Sequence, residues 1–135
     1  INFLRNDTKT INLIESLKQQ GKPISTTSIN CFELLKGIPK LSRMDKNKVI
    51  DFLTNFNILN FDFDSSKKAA EIFDDLKSKG EIIDLADILI ASIVLINNEP
   101  FVTGNSRHFE RIRELKIDNI DNWSDYVVYK ISYLS

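Results

Sequence analysis

Short runs typical of buried strands alternate along this chain with longer stretches typical of amphipathic helices. The strand pattern occurs at Ile24–Thr26, Ile58–Phe61 and Phe101–Thr103, and Ile117–Ile120 is expected to form an edge strand. Parallel strands need crossover connections that are usually helical, so this alternation predicts a parallel sheet covered on both faces. We therefore expect an α/β fold, a three-layer α/β/α sandwich around a central, mainly parallel sheet.

The helices between these strands are expected to start at capping residues and to stop at Gly or Pro. Their apolar residues recur at the spacing of one helical face. The predicted helices are one capped by Asp7 that stops at Gly21 and Pro23, one that opens at Asn30 and runs through Leu35 to Gly37, Met44–Phe56, one capped by Asp64 or Ser65 that ends at Gly80, Leu85–Ile96, and Ser106–Leu115.

Size and composition point to one domain spanning residues 1–135, since 135 residues and 15.5 kDa are typical of a single core. The 18 Lys and Arg residues are balanced by 19 Asp and Glu residues, so no global positive field favours nucleic acid, and any such partner must be held locally. The one cysteine, Cys31, favours a reducing compartment, by default the cytoplasm. The longest apolar stretch, Ile88–Ile96, is far shorter than a membrane span of about 18 residues.

Three carboxylates lie where helices are expected to begin. Glu33 follows Asn30 by three residues, which resembles a capping box; the alternative is a metal ligand at a helix start. Asp84 and Asp87 open the Leu85–Ile96 helix, where capping and the helix dipole are their structural explanation. That explanation suits one acid better than two, and Asp87 borders the most apolar segment, where an unpaired carboxylate is costly. We therefore expect a cation partner for Asp87.

The only histidine, His108, lies in the polar turn Thr103–Phe109 after a predicted strand. In open parallel sheets the functional residues lie beyond the carboxyl ends of the strands. This turn is therefore expected at the edge of the sheet where a functional site would lie. The structural alternative is that Asn105 or Ser106 caps the next helix and that His108 is a surface or packing residue.

Three segments in order, Ile24–Gly37, Gly80–Ser92 and Val102–Ile112, resemble successive motifs of PIN domains, with VapC-type toxins the most similar members. The opening Ile1–Arg5 resembles the segment that follows the family's first motif, Asp-Thr-Asn or Asp-Thr-Ser. The resemblance therefore places a first strand and its aspartate upstream of Ile1. It extends over nearly the whole chain, to about Trp123.

The resemblance implies an endoribonuclease that hydrolyses RNA phosphodiester bonds with Mg²⁺ or Mn²⁺. Glu33 and Asp87 match the family's second and third acids, and Asn105 stands where many relatives carry a fourth, with His108 three residues further on. We expect Glu33, Asp87 and Asp84 to hold the metal, with Asn105 completing the catalytic set. The expected substrate-binding residues are Arg107, His108, Thr103 and Ser106.

Clustered acids suit this chemistry because hard divalent cations take oxygen ligands, and the chain shows no zinc-type His/Cys spacing. The expected substrate is single-stranded or looped RNA, whose unstacked bases and phosphates can enter a cleft. The resemblance further implies a VapB-like antitoxin and a homodimer, and no membrane partner is expected.

The sequence leaves one other function open and argues against a further one. A non-catalytic RNA- or protein-binding regulatory module on the same scaffold is suggested by Asn105 and by the position of the first acid outside the sequence. An aspartate motif upstream of Ile1 favours the enzyme, and a native start at Ile1 favours the module. A phosphoacceptor receiver domain needs an acidic pair at the first strand and a lysine after a late strand, and neither is visible.

The C-terminal segment 123–135 carries the only tryptophan and all three tyrosines. Its apolar residues fall at helical spacing and predict one stripe that either contacts a partner or packs on the domain's own core. The predicted stripe comprises Trp123, Tyr126, Val127, Ile131 and Leu134.

Overall fold

The computed structural model describes residues 19–21, 24–36, 43–81, 83–99, 101–103, 106–118 and 128–130. For residues 43–45, 102, 103, 106, 108, 118 and 128–130 it describes the backbone. In chain order the elements are β1 (Ser25–Thr27), α1 (Ser28–Leu35), α2 (Arg43–Leu53), β2 (Asn57–Leu59), α3 (Phe63–Ser78), α4 (Leu85–Ile96), β3 (Phe101–Thr103), α5 (Ser106–Phe109), β4 (Ile117–Asp118) and β5 (Val128–Lys130).

These strands form one parallel sheet in the order β2-β1-β5-β3-β4. β1 pairs with β2 in a register that sets Thr26 opposite Ile58. β3 pairs with β4, with Phe101 opposite Ile117, so β4 forms the predicted edge strand. The expected α/β class with a parallel sheet is confirmed.

Both faces of the sheet are covered where β1 runs. Ile24, Ser25, Thr26 and Thr27 are all buried, although alternate side chains of a strand point to opposite faces. Continuous burial of this kind is the pattern of a sheet between two helical layers. Helices therefore enclose β1 from both sides, which matches the predicted sandwich.

The described residues include two hydrophobic core clusters. The larger joins α3, α4, β3 and the segment 109–115, where the rings of Phe101 and Phe109 meet edge to face with centroids 4.8 Å apart. The smaller joins α1 to α2 and contains Cys31, whose thiol pKa is raised by burial. Cys31 thus packs as a small buried residue of this cluster. No helix within the described ranges is both long and apolar enough to cross a membrane.

Several predicted boundaries needed correction. α3 is capped by Asp62, whose carboxylate accepts a hydrogen bond from the Ser65 amide at 2.8 Å, and not by Asp64 or Ser65. Its last residue is Ser78, and the predicted stop, Gly80, follows the C-cap Lys79 with a φ of +68° in the left-handed region that favours glycine. α4 matches its predicted range of Leu85–Ile96.

β3 also matches its predicted range of Phe101–Thr103, whereas α1 starts at Ser28, two residues before the predicted Asn30. Other elements differ at one or both ends. α2 ends at Leu53, before the predicted Phe56, and β2 begins one residue early and ends at Leu59. α5 ends at Phe109, although a helix to Leu115 was expected. The residues after it form turns, and these turns bury Ile112 and Leu115 in the core. The helix predicted after Asp7 lies outside the described residues up to position 18.

The three residues of the C-terminal segment that the structure describes form a strand and not a helix. Residues Val128–Lys130 form β5, which lies between β1 and β3 and pairs with both in parallel. The helical prediction is therefore wrong at these positions, and the backbone here belongs to the middle of the sheet. Their place in the sheet favours the alternative that the tail packs within the domain. All five residues of the predicted stripe, from Trp123 to Leu134, lie outside the described residues.

Candidate metal and substrate site

The helix that carries Glu33 starts directly from the central strand β1. Thr27 is its N-cap: the hydroxyl accepts a hydrogen bond from the Asn30 amide at 3.1 Å and donates one to Asn30 Oδ1 at 2.7 Å. The predicted capping box of Asn30 with Glu33 is therefore wrong. The extended strand continues through Thr27, with φ −103° and ψ 156°, so the cap falls there and Asn30 lies inside the first turn. Glu33 has no capping role.

The carboxylate of Glu33 is half-buried, and its Oε1 is buried without a hydrogen-bond partner among the described residues. An unpartnered buried polar oxygen costs about 1–3 kcal/mol. A carboxylate oxygen kept in this state is suited to an external ligand, and a hard cation is the ligand that such oxygens bind. Glu33 thus fits the role of a metal ligand.

Asp87 is the third residue of α4 and is 3% exposed in the most apolar helix of the chain. Asp84 precedes the helix at the N-cap position but makes no side-chain capping hydrogen bond, and its side chain is exposed. The backbone alone closes this turn, with the Asp87 amide donating to the Asp84 carbonyl at 3.0 Å. Capping therefore does not account for the carboxylate of Asp84.

The helices that carry Glu33 and Asp87 pack against each other, since α1 contacts α4 and both contact β1. A shared cleft for Glu33 and Asp87 remains a prediction. Within the described ranges, no group of three His, Cys, Asp or Glu side chains is placed to hold a metal ion. Mg²⁺ commonly binds through one or two carboxylates and retains several waters, so two acids are chemically sufficient.

The polar turn after β3 lies at the carboxyl end of that strand, as expected. Thr103 is the last residue of β3, Ser106 begins α5, and Arg107 on α5 is exposed. Asn105 lies outside the described residues, as do the side chains of Thr103, Ser106 and His108. The predicted catalytic and substrate-binding roles of these residues therefore stay predictions.

Sequence reasoning missed two exposed aromatic side chains near these helix starts. Phe32 is 63% exposed with Lys36 Nζ over its ring, and Phe63 is 76% exposed with Lys67 Nζ over its ring. The signal was present in the sequence, because each lysine follows its phenylalanine by four residues, one turn of helix.

Comparison with known proteins identifies the class of domain. The PIN domain family matches residues 1–115, most of the chain. The chain belongs to the PIN-domain family. Within that family it is 33% identical to Ribonuclease VapC2 of Rickettsia felis over 107 residues, which cover 78% of this chain and 80% of the relative. It is also 33% identical to Ribonuclease VapC1 of Methanocaldococcus jannaschii over 102 residues, covering 75% and 71%.

Solved structures agree with this assignment. The crystal structure of VapBC2 from Rickettsia felis bound to a promoter DNA fragment superposes with a TM-score of 0.75 at 29% identity, covering 87% of this chain and 90% of the matched chain. DNA-bound VapBC from Salmonella typhimurium gives a TM-score of 0.75 at 25% identity, covering 87% and 89%. The PIN-like sandwich expected from the sequence is confirmed.

Proposed function

We propose that this chain is a divalent-metal-dependent endoribonuclease and the toxin of a VapBC-type toxin–antitoxin pair. The observation that carries the proposal is the buried, unpartnered Oε1 of Glu33, on a helix packed against the helix that bears the buried Asp87. Support comes from relatives named as VapC ribonucleases that cover most of the chain.

Glu33 and Asp87 are the residues that would hold the cation through their carboxylate oxygens. Asp84, which is exposed, and Asn105 are the proposed residues at the rim. A bound Mg²⁺ or Mn²⁺ supplies an acidified water and neutralises charge that develops on the phosphate and the leaving oxygen. The surrounding apolar residues of α4 keep Asp87 out of bulk water, which strengthens its interaction with any cation.

RNA phosphates approach an acidic site, so the chain must supply positive charge and hydrogen-bond donors beside it. Arg107 is exposed on α5, directly after the turn that ends β3, and is the proposed phosphate contact. Thr103, Ser106 and His108 in the same turn are the proposed further contacts. Single-stranded or looped RNA fits best, because its unstacked bases reach a cleft without strand separation.

The proposed partners follow from the same relatives. The similar solved structures are VapBC complexes, which supports a VapB-like antitoxin as the binding partner of this chain. A homodimer and a cytoplasmic location complete the proposal, the latter supported by the single cysteine, which is buried and free.

The second candidate is a non-catalytic PIN-like module that binds RNA or protein. It is favoured by one observation, that the described residues bring no three acids together. Sequencing of the intact gene separates the two, because an Asp-Thr-Asn or Asp-Thr-Ser motif encoded before Ile1 supplies a further acid to the enzyme.

The test is RNA cleavage by the full-length protein on a fluorogenic RNA panel in Mg²⁺ or Mn²⁺. Asp87→Asn should lower the cleavage rate by about 100-fold or more while circular dichroism stays unchanged, since a metal ligand supplies several kcal/mol of transition-state stabilisation. Asparagine caps a helix about as well as aspartate, so lost capping cannot produce this result.

His108→Ala should have a smaller effect than Asp87→Asn in the same assay. Exposed Glu110 provides the control, and Glu110→Gln should cleave like the parent protein. A fully active Asp87→Asn variant contradicts the proposed site, and a parent protein that cleaves no RNA in either metal contradicts the proposed activity.

A further inference from the structure

Two exposed phenylalanines each have a lysine ammonium over the ring. Lys36 Nζ lies 5.9 Å from the ring centroid of Phe32, and Lys67 Nζ lies 5.2 Å from that of Phe63. The rings are 63% and 76% exposed, the two most exposed large hydrophobic side chains of the described residues. Each pair therefore presents an aromatic face and a positive charge to the solvent together.

The two pairs lie near one another in the fold. α1 follows β1 and α3 follows β2, and these strands are parallel neighbours, so both helices start at the same edge of the sheet. A hydrogen bond links the two starts directly, from the Phe61 amide to Ser28 Oγ at 3.1 Å. Phe63 is the first residue of α3, and Phe32 lies four residues after Ser28, about 6 Å along the axis of α1.

This edge is also where the first proposed metal ligand lies. Phe32 directly precedes Glu33, so the ring is about 100° around α1 from the carboxylate. The buried face of α1 holds Asn30, Cys31 and Leu34, which leaves Glu33 at the boundary between the buried and exposed faces. A ligand at Glu33 is therefore next to the exposed ring.

We propose that the Phe32–Lys36 and Phe63–Lys67 pairs are two nucleotide subsites that hold single-stranded RNA beside the metal site. A base stacks on each ring, and each lysine contacts a neighbouring phosphate, the combination by which proteins bind unpaired strands. This inference rests on the proposed ribonuclease function and adds the residues that hold the strand. Lys67 also contacts exposed Asp64 at 3.2 Å, an ion pair weak enough in water to be exchanged for a phosphate.

RNA explains the pairs better than an apolar protein surface does, because a lysine accompanies each ring. A purely apolar contact would have to desolvate both ammonium groups, which costs free energy without a compensating anion. The phosphates of an RNA strand provide that anion.

The chain contains its own matched control. Phe73 is 51% exposed on the same helix as Phe63 and is also followed by a lysine four residues later, Lys77. It lies ten residues beyond Phe63, about 15 Å along α3, and borders an apolar cavity of about 420 Å³ with Leu76. Substituting Phe73 therefore removes the same kind of aromatic side chain at a position that the proposed RNA strand does not contact.

The test measures binding of a short fluorescein-labelled single-stranded RNA by fluorescence anisotropy, with every protein in the full-length Asp87→Asn background to prevent cleavage. Phe32→Leu and Phe63→Leu should each raise Kd by about fivefold or more, because leucine keeps the apolar volume but not the stacking face. Phe73→Leu should stay within about twofold. Lys36→Gln should reduce the slope of log K against log salt by about 0.7.

A second RNA with an abasic site identifies stacking as the cause. If the rings stack on bases, the parent should bind this RNA more weakly than it binds the intact RNA. The Kd values of the two RNAs should then differ less for Phe32→Leu or Phe63→Leu than for the parent. Equal effects of Phe32→Leu, Phe63→Leu and Phe73→Leu overturn the subsites, and cleavage by the protein without Asp87→Asn then shows whether the ribonuclease proposal still stands.

Two further results also decide. If both phenylalanine variants bind RNA normally but fail to bind a co-expressed antitoxin, the surface is a protein interface and the proposal is wrong. If the parent neither cleaves RNA nor binds it, the subsites and the proposed function are both wrong.

Discussion

Replacing Glu33 by glutamine should stabilise the metal-free protein while abolishing its activity. The carboxylate keeps Oε1 buried without a partner within the described structure, and such an oxygen costs about 1–3 kcal/mol. Glutamine keeps a polar atom at this position but removes the negative charge, whose burial costs more than that of a neutral amide. Because the side chain is only half-buried, we expect Glu33→Gln to raise the free energy of unfolding by about 1 kcal/mol. For a chain of this size that is a rise in Tm of about 4 °C.

The assay is thermal unfolding followed by circular dichroism in EDTA, with no divalent cation present. Glu110→Gln is the control, since Glu110 is exposed and the same substitution there should change Tm by no more than about 2 °C. A lower Tm for Glu33→Gln than for the parent refutes the reasoning, because it means that the carboxylate stabilises the fold on its own. An unchanged Tm means that water hydrogen-bonds to the Glu33 carboxylate and offsets the cost of its burial.

Two further predictions concern the helix starts. Thr27→Val removes the hydroxyl that caps α1 in a fully buried position and should cost about 1–2 kcal/mol in urea unfolding, with Thr27→Ser restoring most of the loss. Hydrogen bonding from the Ser65 amide lowers the pKa of Asp62 below its ordinary value of 3.8, so the charged cap stabilises the fold above that pH. The stability advantage of the parent over Asp62→Asn should disappear as the pH falls through the folded pKa of Asp62, and a constant difference from pH 7 to pH 2 contradicts this.

The sequence was sufficient to predict the ends of a helix where only one residue near each end could begin or stop it. α4 was predicted from end to end because Asp84 precedes the most apolar segment and Asn97 follows it. The caps of α1 and α3 were misassigned because several good capping residues are adjacent in each case. The choice among them depends on where the preceding strand or loop ends, and for α1 that is set by the pairing of β1 with β2 and β5.

The C-terminal segment shows a different limit. Its apolar spacing suits a helix, yet Val128–Lys130 pairs with β1 and β3, which lie 25 or more residues earlier in the chain. Local periodicity carries no information about such distant partners. At the site, position alone left Glu33 open between a cap and a ligand, and the PIN resemblance selected it together with Asp87. The orphaned oxygen of Glu33 depends on packing that only the folded chain shows.

Binding of Mn²⁺ to the RNA-free protein tests the central claim, that Glu33 and Asp87 belong to one divalent-cation site. Electron paramagnetic resonance reports free Mn²⁺ directly, so a titration counts bound ions without requiring activity. We predict that the parent binds Mn²⁺, that Glu33→Gln and Asp87→Asn each lose most of this affinity, and that the double variant is no weaker than the single ones. Parent-like Mn²⁺ binding by both single variants, with Glu110→Gln as the reference, would contradict the account.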